Sequence, residues 1–314
     1  MLLSFKNITG LLDHFKENQT CIEYLEQQRW NGKPVCPHCG CEKGYRTKTG
    51  FRCAGEGCYK KFSVLVGSIY ENTKIPLRLW FAAIYLGTAH KKGISSVQLA
   101  TDLNISQKTA WHLMHRIRES MKDADSDTQL KGTVEADETY VGGKNKNRHK
   151  DKKIPNSQGR SMAGKTAAVV GLLERDGKIK TFVVPNTEAD ILHPIIEEYV
   201  DKDATLVTDA YTSYNGIGLK LRHIVVKHKD GGYITKVGEY KFHTQNIENF
   251  WSVFKRGYIG IYHYMSAQHM SRYCDEFSYR YNNRLLSTQD KFEIAVKQAS
   301  GRRLTWNKLV GKEK

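Results

Sequence analysis

The run "PVCPHCGCEKGYRTKTGFRCAGEGCYKKF", residues 34–62, restricts the fold of this chain more than any other feature. It is rich in Gly and Cys, lacks a periodic apolar pattern, and is too small to fold on buried surface alone. Cys36 and Cys39 form a C-x2-C pair, thirteen residues separate Cys39 from Cys53, and Cys58 follows after four more. That is zinc-ribbon spacing, in which two thiol-bearing turns surround one structural, tetrahedral Zn2+. Metal binding of this kind contributes on the order of 10 kcal/mol or more to folding, so the segment is expected to need its ion. Cys41 stands close by as a rival to Cys39, but "CPHC" closes the usual turn. Cys21 and Cys274 read as ordinary buried thiols on helices. Seven cysteines, five of them between 36 and 58, do not suit a secreted disulfide framework.

Charge sets the class of partner. The 314 residues hold 49 Lys+Arg against 33 Asp+Glu, a net charge of +16. Such an excess favours a polyanion, most simply double-stranded DNA, over a small acidic substrate. The basic residues alternate with acids and aromatics, and no isolated basic amphipathic helix points to a membrane surface. No apolar run approaches the ~20 residues of a membrane span. The start "MLLSFKNITGLLDHF" is too polar for a secretory signal. A soluble, cytoplasmic and nucleoid-associated protein without a membrane partner is expected.

The pattern along the chain suggests an order of domains. Residues 1–33 read as short helices, 34–70 as the ribbon, 71–120 as a helical domain and 121–131 as a polar linker. In "GISSVQLATDLNISQKTAWHLMHRIRESM", Ser95 or Ser96 caps one helix, "NIS" turns, and Ser106 caps a second. Ala110, Leu113 or Met114 and Ile117 face inward, leaving Gln107, Lys108, Thr109 and His112 outward. This is helix-turn-helix syntax, whose second helix enters a major groove. A plain helical hairpin shares the pattern; the charge and the adjacent ribbon favour DNA reading.

Residues 132–300 alternate strand and helix signals, an α/β catalytic domain, and 301–314 form a basic tail. A polar insertion at 144–163 carries Lys144, Lys146, Arg148, Lys150, Lys152 and Lys153, six cations suited to phosphates. Three acids stand out in the α/β domain. Asp137 lies inside the strand "TVEADETYVGG", Asp209 ends the apolar run "ATLVTD", and Glu248 flanks the apolar stripe of "HTQNIENFWSVFKRG". One mid-strand, one strand-end and one helix carboxylate are the oxygen ligands that two hard divalent cations need. Glu138 is the neighbour of Asp137, but strand alternation turns it to the opposite face.

The stretches "CPHC…CAGEGC", "FSVLVGSIYENTKIPLRLW", "ADETYVGGK", "VTDAYTSY", "HTQNIENFWSVFKRG" and "RYNNR" run from about residue 20 to 290. In them the chain resembles DDE transposases of bacterial insertion sequences, the group with an N-terminal zinc ribbon related to Merlin elements. The resemblance implies an RNase H-like mixed sheet with flanking helices. It carries Asp137, Asp209 and Glu248 over as the catalytic triad that binds two Mg2+ or Mn2+ ions. Lys255, seven residues after Glu248, occupies a basic position such enzymes share, and Arg256 joins the DNA-contacting residues. Because the third position in parts of this group is Asn or His, His243, Asn246 and Asn249 are rivals or helpers of Glu248.

The expected activity is therefore binding of terminal inverted repeats, two-metal phosphodiester hydrolysis, and strand transfer by a homodimer or larger assembly. A DNA-binding regulator with a silent transposase-derived domain is the alternative, and the presence of all three acids counts against it. An RNase H-like nuclease acting on hybrids or junctions is disfavoured by the DNA-reading modules.

Overall fold

The computed structural model describes residues 5–124, 127–142, 149–153, 167–219, 221–227 and 233–312. They fall into two compact units, Met1–Lys122 with Leu285–Lys314, and Asp123–Arg284.

The first unit begins with helices α1 (Ile8–His14) and α2 (Asn18–Trp30). Asn7 starts α1 by accepting from Gly10 N, and Asn31 ends α2 in the left-handed region at φ 47°. The ribbon is a three-stranded antiparallel sheet of β1 (Gly44–Thr47), β2 (Gly50–Cys53) and β3 (Lys61–Phe62). Its apolar content is one aromatic group: Phe51 and Phe62 stack at 5.6 Å and Trp30 meets both edge-on. That is little surface for a fold, as the composition implies.

Helix α3 (Leu77–Ala89) is buried almost all round, with Trp80, Phe81, Ala83 and Ile84 fully enclosed. Helices α4 (Ser96–Leu103) and α5 (Gln107–Ser120) are joined by a short turn. Ser95 and Ser106 cap them by accepting from Gln98 N and Thr109 N, and Asn104 closes α4 at φ 51°. Ala110, Leu113, Met114 and Ile117 are buried as the spacing predicts.

The second unit is built on a five-stranded mixed sheet. Its strands are β4 (Thr133–Val141), β5 (Ala167–Glu174), β6 (Ile179–Val184), β7 (Thr205–Asp209) and β8 (Arg222–Val226), in the order β6-β5-β4-β7-β8. β4, β5 and β6 run antiparallel through a turn in which Asp176 takes φ 61°, whereas β7 and β8 join parallel to β4. Helix α6 (Ala189–Tyr199) covers one face, its Leu192 and Ile196 meeting Val134, Ala136, Val170 and Leu206. A ribbon follows β8, made of β9 (Thr235–Val237) and β10 (Tyr240–Phe242). Then α7 (Gln245–Gly257) and α8 (Met270–Asn282) cover the opposite face. Ile247, Phe250, Trp251 and Phe254 bury the predicted stripe of α7 against Val169, Leu173 and Phe277. Because helices cover both faces, β5 is apolar along its whole length rather than alternating.

Three features depart from expectation. Residues 285–300 do not extend the α/β unit, because α9 (Thr288–Lys297) groups with the first unit. Its Phe292 is enclosed by the rings of Phe5, Phe15, Tyr24 and Phe81, all within 6.4 Å. The end of the expected linker is tied down: Leu130 is buried, donates to Tyr199 O and accepts from Asp201 N, each at 2.8 Å. The tail also folds, as α10 (Trp306–Leu309), with Leu304 and Leu309 buried.

Candidate active site and metal centre

The four predicted cysteines come together. Cys36 and Cys39 lie in the turn before β1, Cys53 ends β2, and Cys58 lies in the turn before β3. All four sulfurs lie within 4.8 Å of one another, with Cys36–Cys58 at 3.9 Å and Cys39–Cys53 at 3.5 Å. Four sulfurs each ~2.3 Å from one tetrahedral Zn2+ would be about 3.8 Å apart, so the set fits that ion. Gly55 N donates to Cys53 Sγ at 3.2 Å, which favours thiolate, but burial and the neighbouring cysteines outweigh it and push the Cys53 thiol up to about 12. Cys41 is outside the set; its sulfur accepts from Lys43 N at 3.4 Å. Burial pushes the Cys21 thiol up to about 12 and raises Cys274 as well, which leaves both inert.

The carboxylates are arranged by β4. Alternation sends Val134, Ala136 and Glu138 toward α6, where Tyr214 Oη donates to Glu138 at 3.0 Å. Glu135, Asp137 and Val141 face α7 instead. β4 and β7 pair in parallel with Thr133 beside Thr205 and Glu135 beside Val207. The pairing ends there, two residues short of Asp137 on β4 and of Asp209 on β7, and the Asp209 charge acts on Asp137. Asp209 Oδ1 accepts from Tyr211 N at 2.9 Å, which holds the strand end.

Glu248 reaches this edge because α7 lies close on the sheet. Gly171 pairs with Asp137 across β4 and β5, and a Cβ there would come within 2.7 Å of Trp251 Cζ2. The missing side chain lets α7 settle directly over the strand that carries Asp137. Thr244 Oγ1 donates to Glu248 Oε1 at 2.8 Å, and the rest of Glu248 is exposed. Burial raises the Asp137 carboxyl to about 7, helped by the negative charges of Glu138, Asp209 and Glu248. Among the described residues only the cysteines hold three or more ligand atoms within 4.8 Å, so the three acids couple electrostatically without closing to that spacing. Hard oxygen donors whose charges oppose one another suit divalent cations, which remove the repulsion.

The sequence alone missed Glu135. It is 0% exposed and accepts from Asn246 N at 3.0 Å, Ile247 N at 3.1 Å and Asn246 Nδ2 at 3.0 Å. Arg175 Nη2 pairs with it at 3.0 Å, and Arg175 also donates to the carbonyls of Lys241 and His243. A carboxylate from β4 thus serves as the N-terminal cap of α7, whose own N-cap Thr244 makes no such bond. The signal was available in "EAD", since residues two apart on a strand share a face. Asn246 and His243, rivals for the third position, are both drawn to Glu135, His243 Nδ1 lying 3.6 Å away. Asn249 is exposed.

The predicted DNA contacts divide. Gln107 and Lys108 are exposed on α5, and Thr109 is half-buried. His112 is not directed outward: its ring meets Trp306 at 5.4 Å and burial lowers its pKa. Trp306 lies 194 residues away, so no local pattern signals this cover. Lys150, Lys153, Lys255 and Arg256 are exposed. Lys144, Lys146 and Arg148 lie outside the described residues, as does the side chain of Lys152. Among the described residues no helix is long and apolar enough to cross a membrane.

Residues 129–282 match the ISXO2-like transposase domain, and residues 16–61 match the transposase zinc-ribbon domain. A protein in transposable element ISH50 of Halobacterium salinarum is 26% identical over 234 residues, 70% of this chain and 77% of the relative. A transposase-like protein of Haemophilus influenzae is 30% identical over 113 residues, 36% of this chain and 87% of the relative. Among solved structures, a Mos1 transposase paired-end complex with left transposon end is 14% identical, covering 73% of this chain and 81% of its own at a TM-score of 0.21.

Proposed function

Since the chain belongs to the insertion-sequence transposases with an ISXO2-like domain and a zinc ribbon, we propose that Asp137, Asp209 and Glu248 are its catalytic carboxylates. One observation supports this: the buried Asp137 carboxyl, on the strand over which α7 is seated at Gly171, feels the charges of Asp209 and Glu248 as well as that of Glu138. The strand order, three antiparallel strands continued by two parallel ones, supports an RNase H-like reading.

Two Mg2+ or Mn2+ ions held by these acids would supply positive charge to the attacking and leaving oxygens of a phosphodiester. The chain's part is placement. Asp137 and Asp209 are set by adjoining strands, and Glu248 is brought over them by α7. Lys255, two turns further along, is placed to meet a DNA phosphate. In the first reaction a water oxygen bonds to phosphorus, the bond to the 3′ oxygen breaks, and that oxygen leaves as a 3′-hydroxyl. In the second, this hydroxyl attacks a target phosphodiester, one P–O bond forming as another breaks.

The α4–α5 pair with Gln107, Lys108 and Thr109, and the zinc ribbon, would read the element's ends. Lys150, Lys153 and Arg256 would hold backbone, and joining two ends calls for a dimer or larger assembly working in the cytoplasm. Mg2+-dependent nicking of a labelled duplex carrying the element's end tests the reading, with wild type beside Asp137→Asn and Glu248→Gln. Cleavage by wild type alone supports it. Cleavage by Glu248→Gln would shift the third role away from Glu248, and binding without cleavage by any form, Mn2+ included, would favour the silent regulator.

A further inference from the structure

The β9–β10 ribbon has no role in the chemistry above. Its register sets Thr235 opposite Phe242, Lys236 opposite Lys241 and Val237 opposite Tyr240, with Gly238 turning at φ 59°. The base is secured. Phe242 is buried with Val207, Ile224 and Val226, and Thr235 Oγ1 donates to Val225 O at 3.1 Å.

The tip is open. Tyr240 is 71% exposed and Val237 42%, on one face, while Lys236 and Lys241 are exposed on the other. Two lysines directly opposite each other repel, and the other face leaves an aromatic ring in water. A polyanion with apolar surface between its charges relieves both. The position matters too, because β10 passes through His243 and Thr244 into α7, and Glu248 lies six residues beyond Phe242.

We infer that this ribbon is a DNA-contacting arm that grips the duplex held at Asp137, Asp209 and Glu248. The inference rests on the transposase reading above. A two-stranded ribbon fits the major groove, ~12 Å wide. Lys236 and Lys241 pair with phosphates, while Tyr240 lies against sugar and base edges. A second copy of the chain is the competing occupant. Two-fold pairing through the lysine face would set Lys236 and Lys241 against their own copies, and Glu239 is the sole acid within 235–242. Charge therefore selects DNA.

The test uses the full chain and a labelled 30-base-pair duplex of random sequence, since phosphate contacts do not depend on sequence. Replacing Tyr240 by the photoreactive p-benzoylphenylalanine should give an ultraviolet cross-link to DNA. Lys236→Glu with Lys241→Glu should weaken binding about tenfold or more. It should also flatten the dependence of log affinity on log salt by about 2, at an unchanged melting temperature. A cross-link from position 240 to another protein chain overturns the arm, as does wild-type affinity and salt slope in the double variant. Wild type that binds and nicks DNA beside unaffected arm variants removes the arm alone. Wild type that binds no duplex removes the transposase reading and the arm with it.

Discussion

At the scale of single residues, Asp137 and Glu135 share one face of β4 and answer opposite demands. Asp137 is raised from 3.8 to about 7 chiefly by burial. Below pH ~4 its folded and unfolded forms both hold the proton, and its contribution to stability is fully present. Between pH ~4 and ~7 the unfolded chain releases the proton and the folded one retains it, so that contribution is lost as pH rises. The loss is about 2–4 kcal/mol at the upper end of this window. Asp137→Asn should therefore unfold at higher urea than wild type at pH 8 in chelator, with the gap closing at pH 4, while losing DNA cleavage. An equal gap at both pH values would contradict the burial argument. Glu135 is buried too, but its oxygens accept from N–H groups and pair with a guanidinium. Glu135→Ala should cost about 3–5 kcal/mol by stranding Arg175 and the first-turn amides. Hydrogen exchange should show lost protection at Asn246 and Ile247 before β5 is affected.

At the scale of elements, the seat of α7 depends on the absence of one side chain. Gly171→Val should force Trp251 and Ile247 outward and destabilise by about 1–3 kcal/mol. A red shift in tryptophan emission together with reduced nicking would report the moved helix; reduced stability with unchanged nicking would separate α7's seat from the chemistry. The stripe of α7, the strands around Asp137 and Asp209, and the serine caps were legible because each is written in residues a few positions apart. Glu135 as a helix cap was not, since its partners lie 111 and 112 positions later. The β9–β10 ribbon escaped notice because its strands are three residues each, too short for alternation to register. The placement of α9 failed for the related reason that an amphipathic helix does not name the surface it covers.

At the scale of the whole molecule, the ribbon and the mixed sheet rest on different supports. The sheet unit has two apolar layers, whereas the ribbon has three rings and four thiolates. Chelation should release one Zn2+ per chain and remove exchange protection from 34–62, leaving β4 and β5 protected. Mass-resolved hydrogen exchange with and without chelator distinguishes this from collapse of both units. One order of assembly also follows from the return of Leu285–Lys314 to the first unit. On the ribosome, Asp123–Arg284 is complete as soon as it emerges, but α3 waits for α9 and α5 waits for Trp306. A synthesis that halts before residue 285 would release a finished sheet together with a first unit still open where α9 and α10 belong, so a truncated message would yield one folded half and one left to aggregation or proteolysis.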